Sequence, residues 1–268
     1  AKTDVIDRED VTDVDRLLGN IEIRHLTFRY PSGDYDVLKD VSFTIEAGEN
    51  VGIIGRTGSG KTTLVDLILR TYNVPDGTVF LDGRDVNSIP IHTVREFAAY
   101  VPQDNYLFSD TIEHNIAFAS DIDDIDSVRS AAKMSDVDDN IVAFANGYQT
   151  VLGERGVTVS GGQKQRISIA RALMKDAAIL ILDDSVSAVD VQTERAILSN
   201  LRSIRKGKTT ILIAHRISTI EQMDKIIFLD EGRVAAVGTH EELCRTCPDY
   251  KTMVDLQKLD DKEANSHA

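Results

Sequence analysis

The sequence predicts an α/β fold: a mostly parallel core sheet, an antiparallel β-subdomain near residues 20–98 and an α-helical arm near 104–165. Three observations predict it. Short continuous apolar runs, "VGII" (51–54), "AILIL" (178–182), "ILIA" (211–214) and "IIFL" (226–229), suit strands buried on both faces of a parallel sheet. Helical patterns at 61–72, 162–175 and 191–204 separate those runs, and strands alternating with helices mark an α/β core. Nearer the front, Val41, Phe43 and Ile45 alternate, and Asp76-Gly77 and Asp82-Gly83 bracket "TVFL". Alternation with tight Asp-Gly turns describes antiparallel strands.

Taken in order, residues 1–19 are rich in Asp and Arg with little apolar periodicity, and predict a linker. Strands begin at Ile21. After the region near 98 come acidic, Ala-rich stretches such as "DSVRSAAKMSDVDDNIVAFANG", which predict the helical insertion. Residues 20–255 form the expected domain, and 256–268 a flexible C-terminal tail. The 268 residues are 42% hydrophobic, enough for one sizeable core. The formal net charge of −14 argues against a general nucleic-acid or anionic-membrane binder, though not against a locally positive anion site. No apolar run approaches the ~18 residues that span a bilayer. The two cysteines, Cys244 and Cys247, lie near His240, but a zinc site needs about four ligands, so they predict a helix-end pair in a reducing compartment.

The most specific motif is Gly55-Arg56-Thr57-Gly58-Ser59-Gly60-Lys61-Thr62, which fits G-x-x-x-x-G-K-[ST] in full. A buried run precedes it and the helical "TTLVDLILR", starting with Thr62 and Thr63, follows. The glycines let backbone N–H groups curl around phosphate oxygens, and the helix points its positive end at them. Lys61 would reach the terminal phosphates and the Thr62 hydroxyl would ligate Mg²⁺. Asp183 closes the run "AILILD", where a carboxylate can hold Mg²⁺ through water; it also suits an N-cap for the next helix. The fold is therefore expected to be a P-loop NTPase core.

"VSGGQKQRISIARAL" (159–173), together with these elements and their chain order, resembles the nucleotide-binding domain of ATP-binding cassette (ABC) transporters over nearly all of residues 20–255. The resemblance implies roles. Tyr30 in "FRYP" matches the aromatic residue on which adenine stacks; alone it also suits strand-edge packing. Gln103 in "YVPQDNYLF" matches the glutamine that touches Mg²⁺ and the attacking water. Ser160, Gly161, Gly162 and Gln163 match the signature motif, with Val159 where Leu is usual. "SAVD" (187–190) matches the loop that crosses to the partner. His215 in "LIAHR" matches the switch histidine near the γ-phosphate; alone it also suits a structural role. "TVLGERG" (150–156) resembles the exporter loop that contacts the membrane domain. Ser160 can cap a helix from about Gly162, whose positive end needs a phosphate. The family's solution is a head-to-tail dimer in which each signature completes the other subunit's ATP site.

One position departs from the family. The residue after the metal-side Asp is normally Glu, the base that orients water; here it is Asp184. Aspartate has about 1.3–1.5 Å less reach, and a base must lie within about 2.6–3.2 Å of the water it activates. The pattern resembles the half with a degenerate catalytic site in heterodimeric multidrug-type exporters; on the other reading, a backbone adjustment recovers the distance and the aspartate serves as well as a glutamate. The resemblance thus implies an ATPase domain using ATP and Mg²⁺, weak at its own site, at the cytoplasmic face of the cell membrane. Its partners would be a second, non-identical nucleotide-binding domain and a transmembrane domain encoded upstream in the same chain, and no nucleic acid. Two alternatives stay open: an ATP-clamped regulatory module with little hydrolysis, and a soluble ABC ATPase acting on DNA or ribosomes. The acidic charge and "TVLGERG" oppose the last.

Overall fold

The protein is described from a computed structural model, which covers residues 5–120, 124–153 and 158–266, with side chains through Leu259. Residues 5–19 carry no helix or strand, yet they are tied down. The Asp7 carboxylate accepts from the buried Arg70 guanidinium at 3.2 Å and from the Ile91 amide at 2.9 Å, and Leu17 is buried. Strand β1 (Ile21–Phe28) pairs antiparallel with β2 (Leu38–Ile45), burying Ile21, Ile23, Leu26 and Phe28 against Val41, Phe43 and Ile45. The alternation of β1 slips between Ile23 and Leu26, where His25 has a φ of 46° and the register shifts, as at a β-bulge.

Strand β3 (Asn50–Ile54) is apolar and buried after its first residue, and α1 (Lys61–Ile68) follows directly on Gly60. The pattern to residue 72 overestimated this helix. Arg70 leaves the helical path at φ 50°, where its side chain reaches Asp7 and the Ile89 carbonyl. Strands β4 (Val79–Leu81) and β5 (Arg84–Asp85) form the hairpin that Asp82-Gly83 implied; φ values of 48° and 77° at its two loop residues are those of a type I′ turn. Helix α2 (Ile91–Glu96) follows Pro90, and β6 (Ala98–Val101) had no clear sequence signal.

The helical arm comprises α3 (Ile112–Ala117), capped by Thr111, α4 (Ile125–Met134), capped by Asp124, and α5 (Asp138–Val142). The long α6 (Gly161–Met174) packs Ile167 and Ala170 against Ile112, Ile116, Val128 and Ile141 of that arm. Wholly buried β7 (Ile179–Asp183) leads to α7 (Val191–Ile204), and the N-cap of α7 is Asp190, not Asp183. Then come β8 (Thr209–Ile213), the single turn α8 (Ile217–Ile220), β9 (Lys225–Asp230), β10 (Arg233–Gly238), α9 (His240–Thr246) and α10 (Pro248–Ser266). Helix α10 takes in residues 256–266, which the sequence predicted as tail.

The chain divides into two compact units, one made of the chain up to Phe97 and from Thr209 onward, the other of Ala98–Lys208. The first holds the antiparallel sheet β2-β1-β4-β5 and the strand order β10-β9-β3-β8, in which β9, β3 and β8 are parallel. The second holds the parallel pair β6–β7 and the helical arm. The architecture is the expected mixed α/β one, with parallel core strands, an antiparallel sheet and a helical subdomain.

Candidate functional site

The first unit carries the phosphate loop. At its start, a Cβ on Gly55 would lie 2.1 Å from the Leu229 carbonyl oxygen and 2.6 Å from the Ser59 hydroxyl, so only glycine fits. Gly58 and Gly60 take φ of 82° and 99°, a conformation cheap only for glycine. Gly60 is the N-cap of α1 and provides no side-chain cap, so the positive end of the helix opens onto the loop. The Lys61 ammonium is buried and folded back, donating to the carbonyls of Gly55 at 2.8 Å and Arg56 at 2.9 Å. Arg56, Thr57 and Gly58 are exposed at the tip; Ser59 is buried, its hydroxyl without a hydrogen-bond partner among the described residues. Exposed Thr62 and buried Thr63 open α1.

Tyr30 stands beside that helix start. Its hydroxyl and the Thr63 hydroxyl are 2.7 Å apart, and its ring meets Phe28 and Tyr72 edge-on at 5.1 and 5.0 Å. Burial pushes its phenol pKa up. His215 follows β8 with an exposed side chain, and its carbonyl accepts from the Gln257 amide at 2.7 Å.

In the second unit, Gln103 is exposed two residues beyond β6, and Asp183 ends β7 with a buried carboxylate that accepts from the Tyr100 hydroxyl at 3.3 Å. Asp184 takes φ 48°. Ser160 caps α6 in a capping box: its hydroxyl accepts from the Gln163 amide while the Gln163 side chain accepts from the Ser160 amide. A Cβ on Gly162 would lie 3.0 Å from the Ala188 carbonyl oxygen, whereas one on Gly161 would meet nothing nearer than the Ala188 methyl at 3.9 Å. The signature glycines thus sit against the 187–190 loop. Gln165, which the sequence did not single out, fastens that loop: its amide oxygen accepts from Ala188 N–H at 3.0 Å and its amide nitrogen donates to the Asp184 carbonyl at 3.4 Å. A glutamine two residues past the signature carries no signal of its own. In "TVLGERG", Thr150 and Leu152 are buried, and residues 154–156 lie outside the described residues. Outside the site, the Cys244 sulfur lies 3.7 Å from Nε2 of His240, the first residue of α9, one helical turn before it.

The donor types suit Mg²⁺. Thr62 offers a hydroxyl oxygen, Gln103 an amide oxygen and Asp183 a carboxylate, all hard oxygen donors of the kind that ion takes. A carboxylate as buried as Asp183 (3% exposed) is costly without a cation or hydrogen-bond donors nearby.

Residues 38–187, more than half of the chain, match the profile of the ABC transporter family. The chain belongs to that family. The match takes in the phosphate loop, Gln103, the signature and both Asp183 and Asp184. A probable multidrug resistance ABC transporter ATP-binding/permease protein of Bacillus subtilis is 43% identical over 96% of this chain and 44% of its own length. An ATP-dependent lipid A-core flippase of Yersinia pestis is 43% identical over 88% of this chain and 40% of its own. A bacterial Atm1-family ABC exporter solved with ATP bound superposes with a TM-score of 0.86 at 39% identity, over 93% of this chain and 45% of that one. The chain therefore spans under half the length of these relatives. None of its described helices is long and apolar enough to cross a membrane.

Proposed function

We propose that this chain is the ATP-binding and ATP-hydrolysing domain of an ABC exporter, working at the cytoplasmic face of a membrane and coupled to a transmembrane domain. The observation that carries this is the phosphate loop. Gly55 has no room for a side chain, Gly60 opens α1 in a left-handed conformation, and Lys61 is held at the loop's own carbonyls. This makes an anion cradle ready for the phosphate chain of ATP. The ATP-bound exporter it resembles, and the multidrug and lipid A relatives, support the choice of nucleotide and of export.

In the proposed reaction water attacks the γ-phosphorus, an O–P bond forms, the bond to the β-phosphate oxygen breaks, and ADP leaves with that electron pair. The α1 amides and Lys61 hold the β- and γ-phosphates. Tyr30 flanks the adenine, Asp184 orients the water and takes its proton, and His215 steadies the γ-phosphate. Thr62, Asp183 and Gln103 would hold Mg²⁺, which supplies charge neutralisation on the phosphate oxygens. Ser160, Gly161, Gly162 and Gln163 present the start of α6 to ATP held by a second such domain. Residues 1–19 would join the nucleotide-binding domain, 20–255, to the membrane domain. The short Asp184 makes this chain's own site slow, and a non-identical partner carrying Glu would hold the faster one.

The test uses the full-length chain with Cys244 and Cys247 replaced by Ser. Thr57→Cys in one copy and Ser160→Cys in its mate should crosslink only when Mg²⁺ and nucleotide are present. No crosslink under those conditions, in either homotypic or partner pairs, would refute the sandwich. A regulatory clamp is the second possibility, favoured by Asp184. Single-turnover hydrolysis measured with and without the partner separates it from a working ATPase.

A further inference from the structure

The backbone around His215 is held from outside its own loop. Before it, Ala214 N–H donates to the Ile53 carbonyl at 3.2 Å, tying the end of β8 to β3. After it, α8 opens at Ile217 with Arg216 in the N-cap position, where no side chain of the loop provides a cap. The cap comes from α10. Gln257 Oε1 accepts from Ile217 N–H at 2.8 Å, and Gln257 Nε2 donates to the His215 carbonyl at 2.7 Å. One carboxamide thus spans Arg216 and secures the backbone groups on both sides of it. The partners also fix which end of the amide is oxygen, because an N–H needs an acceptor and a carbonyl needs a donor.

Helix α10 is a firm base for this grip. Tyr250 is fully buried and meets Phe228 of β9 edge-on with centroids 5.7 Å apart; Val254 is 2% exposed. Tyr250, Val254 and Gln257 follow the i, i+4, i+7 spacing of one helix face. Gln257 and Arg56 of the phosphate loop line the same cavity of ≈ 340 Å³, so the helix borders the loop that holds the phosphates.

We propose that Gln257 is a positioning residue for His215, acting on hydrolysis from α10 without touching nucleotide. The proposal rests on the role given above to His215. That side chain is exposed, and Gln257 fixes the backbone that carries it. A displacement of about 1 Å at a reacting centre costs on the order of a hundredfold in rate.

The experiment uses the full-length chain assembled with its partner. Gln257→Met keeps the stem and removes both hydrogen bonds. Gln257→Glu keeps the acceptor for Ile217 N–H and loses the donor to His215, so it preserves the α8 cap and serves as the folding-competent second variant. Gln257→Met should slow single-turnover hydrolysis at this chain's site by about tenfold to a hundredfold, leave MgATP affinity within about twofold, and speed exchange of the Ile217 amide. Gln257→Glu, whose second oxygen would face the His215 carbonyl, should slow hydrolysis while still melting in one cooperative transition. In a His215→Ala background, Gln257→Met should slow hydrolysis no further. Equal slowing with and without His215, or no slowing in either variant, overturns the positioning role. If His215→Ala alone hydrolyses ATP at the wild-type rate, the assigned role of His215 falls first and the proposal with it, a result distinct from the other two.

Discussion

In the proposed reaction Asp184 carries the demand most particular to this chain. Its φ of 48° is left-handed, a region that Asp enters more readily than Glu because its short side chain can bond locally. Backbone and reach therefore pull in opposite directions. Asp184→Glu should gain about 1.3–1.5 Å of reach and raise single-turnover hydrolysis at this site by about tenfold to a hundredfold. It should also cost stability, up to about 1 kcal/mol, read as a lower melting temperature. An unchanged rate with an intact fold would mean that carboxylate reach does not limit this site. Gly162 makes a second residue-scale case. Alanine there would normally gain helix propensity, about 1 kcal/mol, but its Cβ would meet the Ala188 carbonyl at 3.0 Å. Gly162→Ala should therefore leave folding stability within about 1 kcal/mol and slow turnover at the partner's site, because the 187–190 loop must shift; Gly161→Ala, with 3.9 Å of room, should shift that loop less. The need for glycine at 55, 58 and 60 was legible because the motif's spacing marks backbone that has no room for a side chain or takes positive φ. Gln165 and Gln257 were not, since a glutamine on a helix carries no period or turn signal and its importance lies in whom it meets across the fold.

At the scale of elements, the helical arm holds a buried polar knot. The Asp138 carboxylate accepts from the Tyr148 hydroxyl at 2.6 Å and pairs with Arg129 at 3.3 Å. Burial pushes the Asp138 carboxyl up, but the Tyr148 hydroxyl and the Arg129 guanidinium outweigh it and hold the group below the usual carboxylate range. A carboxylate depressed in the folded state contributes stability that is present above its unfolded value, about 3.9, and is lost as pH falls through the folded value. Tyr148→Phe should thus cost about 1–3 kcal/mol at pH 7, and the difference from wild type should shrink below about pH 4; urea unfolding at both pH values checks this. Buried strands were legible as continuous apolar runs, and α7 was predicted over its observed span. Helix α1 was overestimated because nothing local announces that Arg70 is called away to Asp7. Helix α10 was missed because, among its described side chains, only Tyr250 and Val254 are fully buried, too few to make a periodic stripe. Strand β10 alternates between exposed and half-buried positions, with little apolar contrast to read.

For the whole molecule, the question is how one chain with an ordinary signature and a short acid would work in the proposed pair. The charge of −14 would spread repulsion between two copies, and ATP at the proposed junction would add more negative charge. In the proposed sandwich the pair would be held locally, by the opening of α1 in one domain and the Ser160-capped start of α6 in the other, two positive helix ends turned to the same phosphates. If the pair is unequal, the two ends of this chain have unequal consequences. Lys61→Met disables only the slow site held by this chain and should leave most of the steady-state ATPase of the assembled exporter. Ser160→Arg disables the fast site held by the partner and should remove most of it, by about tenfold or more, since one lost donor to a transferring phosphoryl group costs on the order of a hundredfold. Turnover measured for the two variants in otherwise identical assemblies decides the matter. Equal losses would identify the partner as a second copy of this chain, with Asp184 at both sites and no fast site to protect.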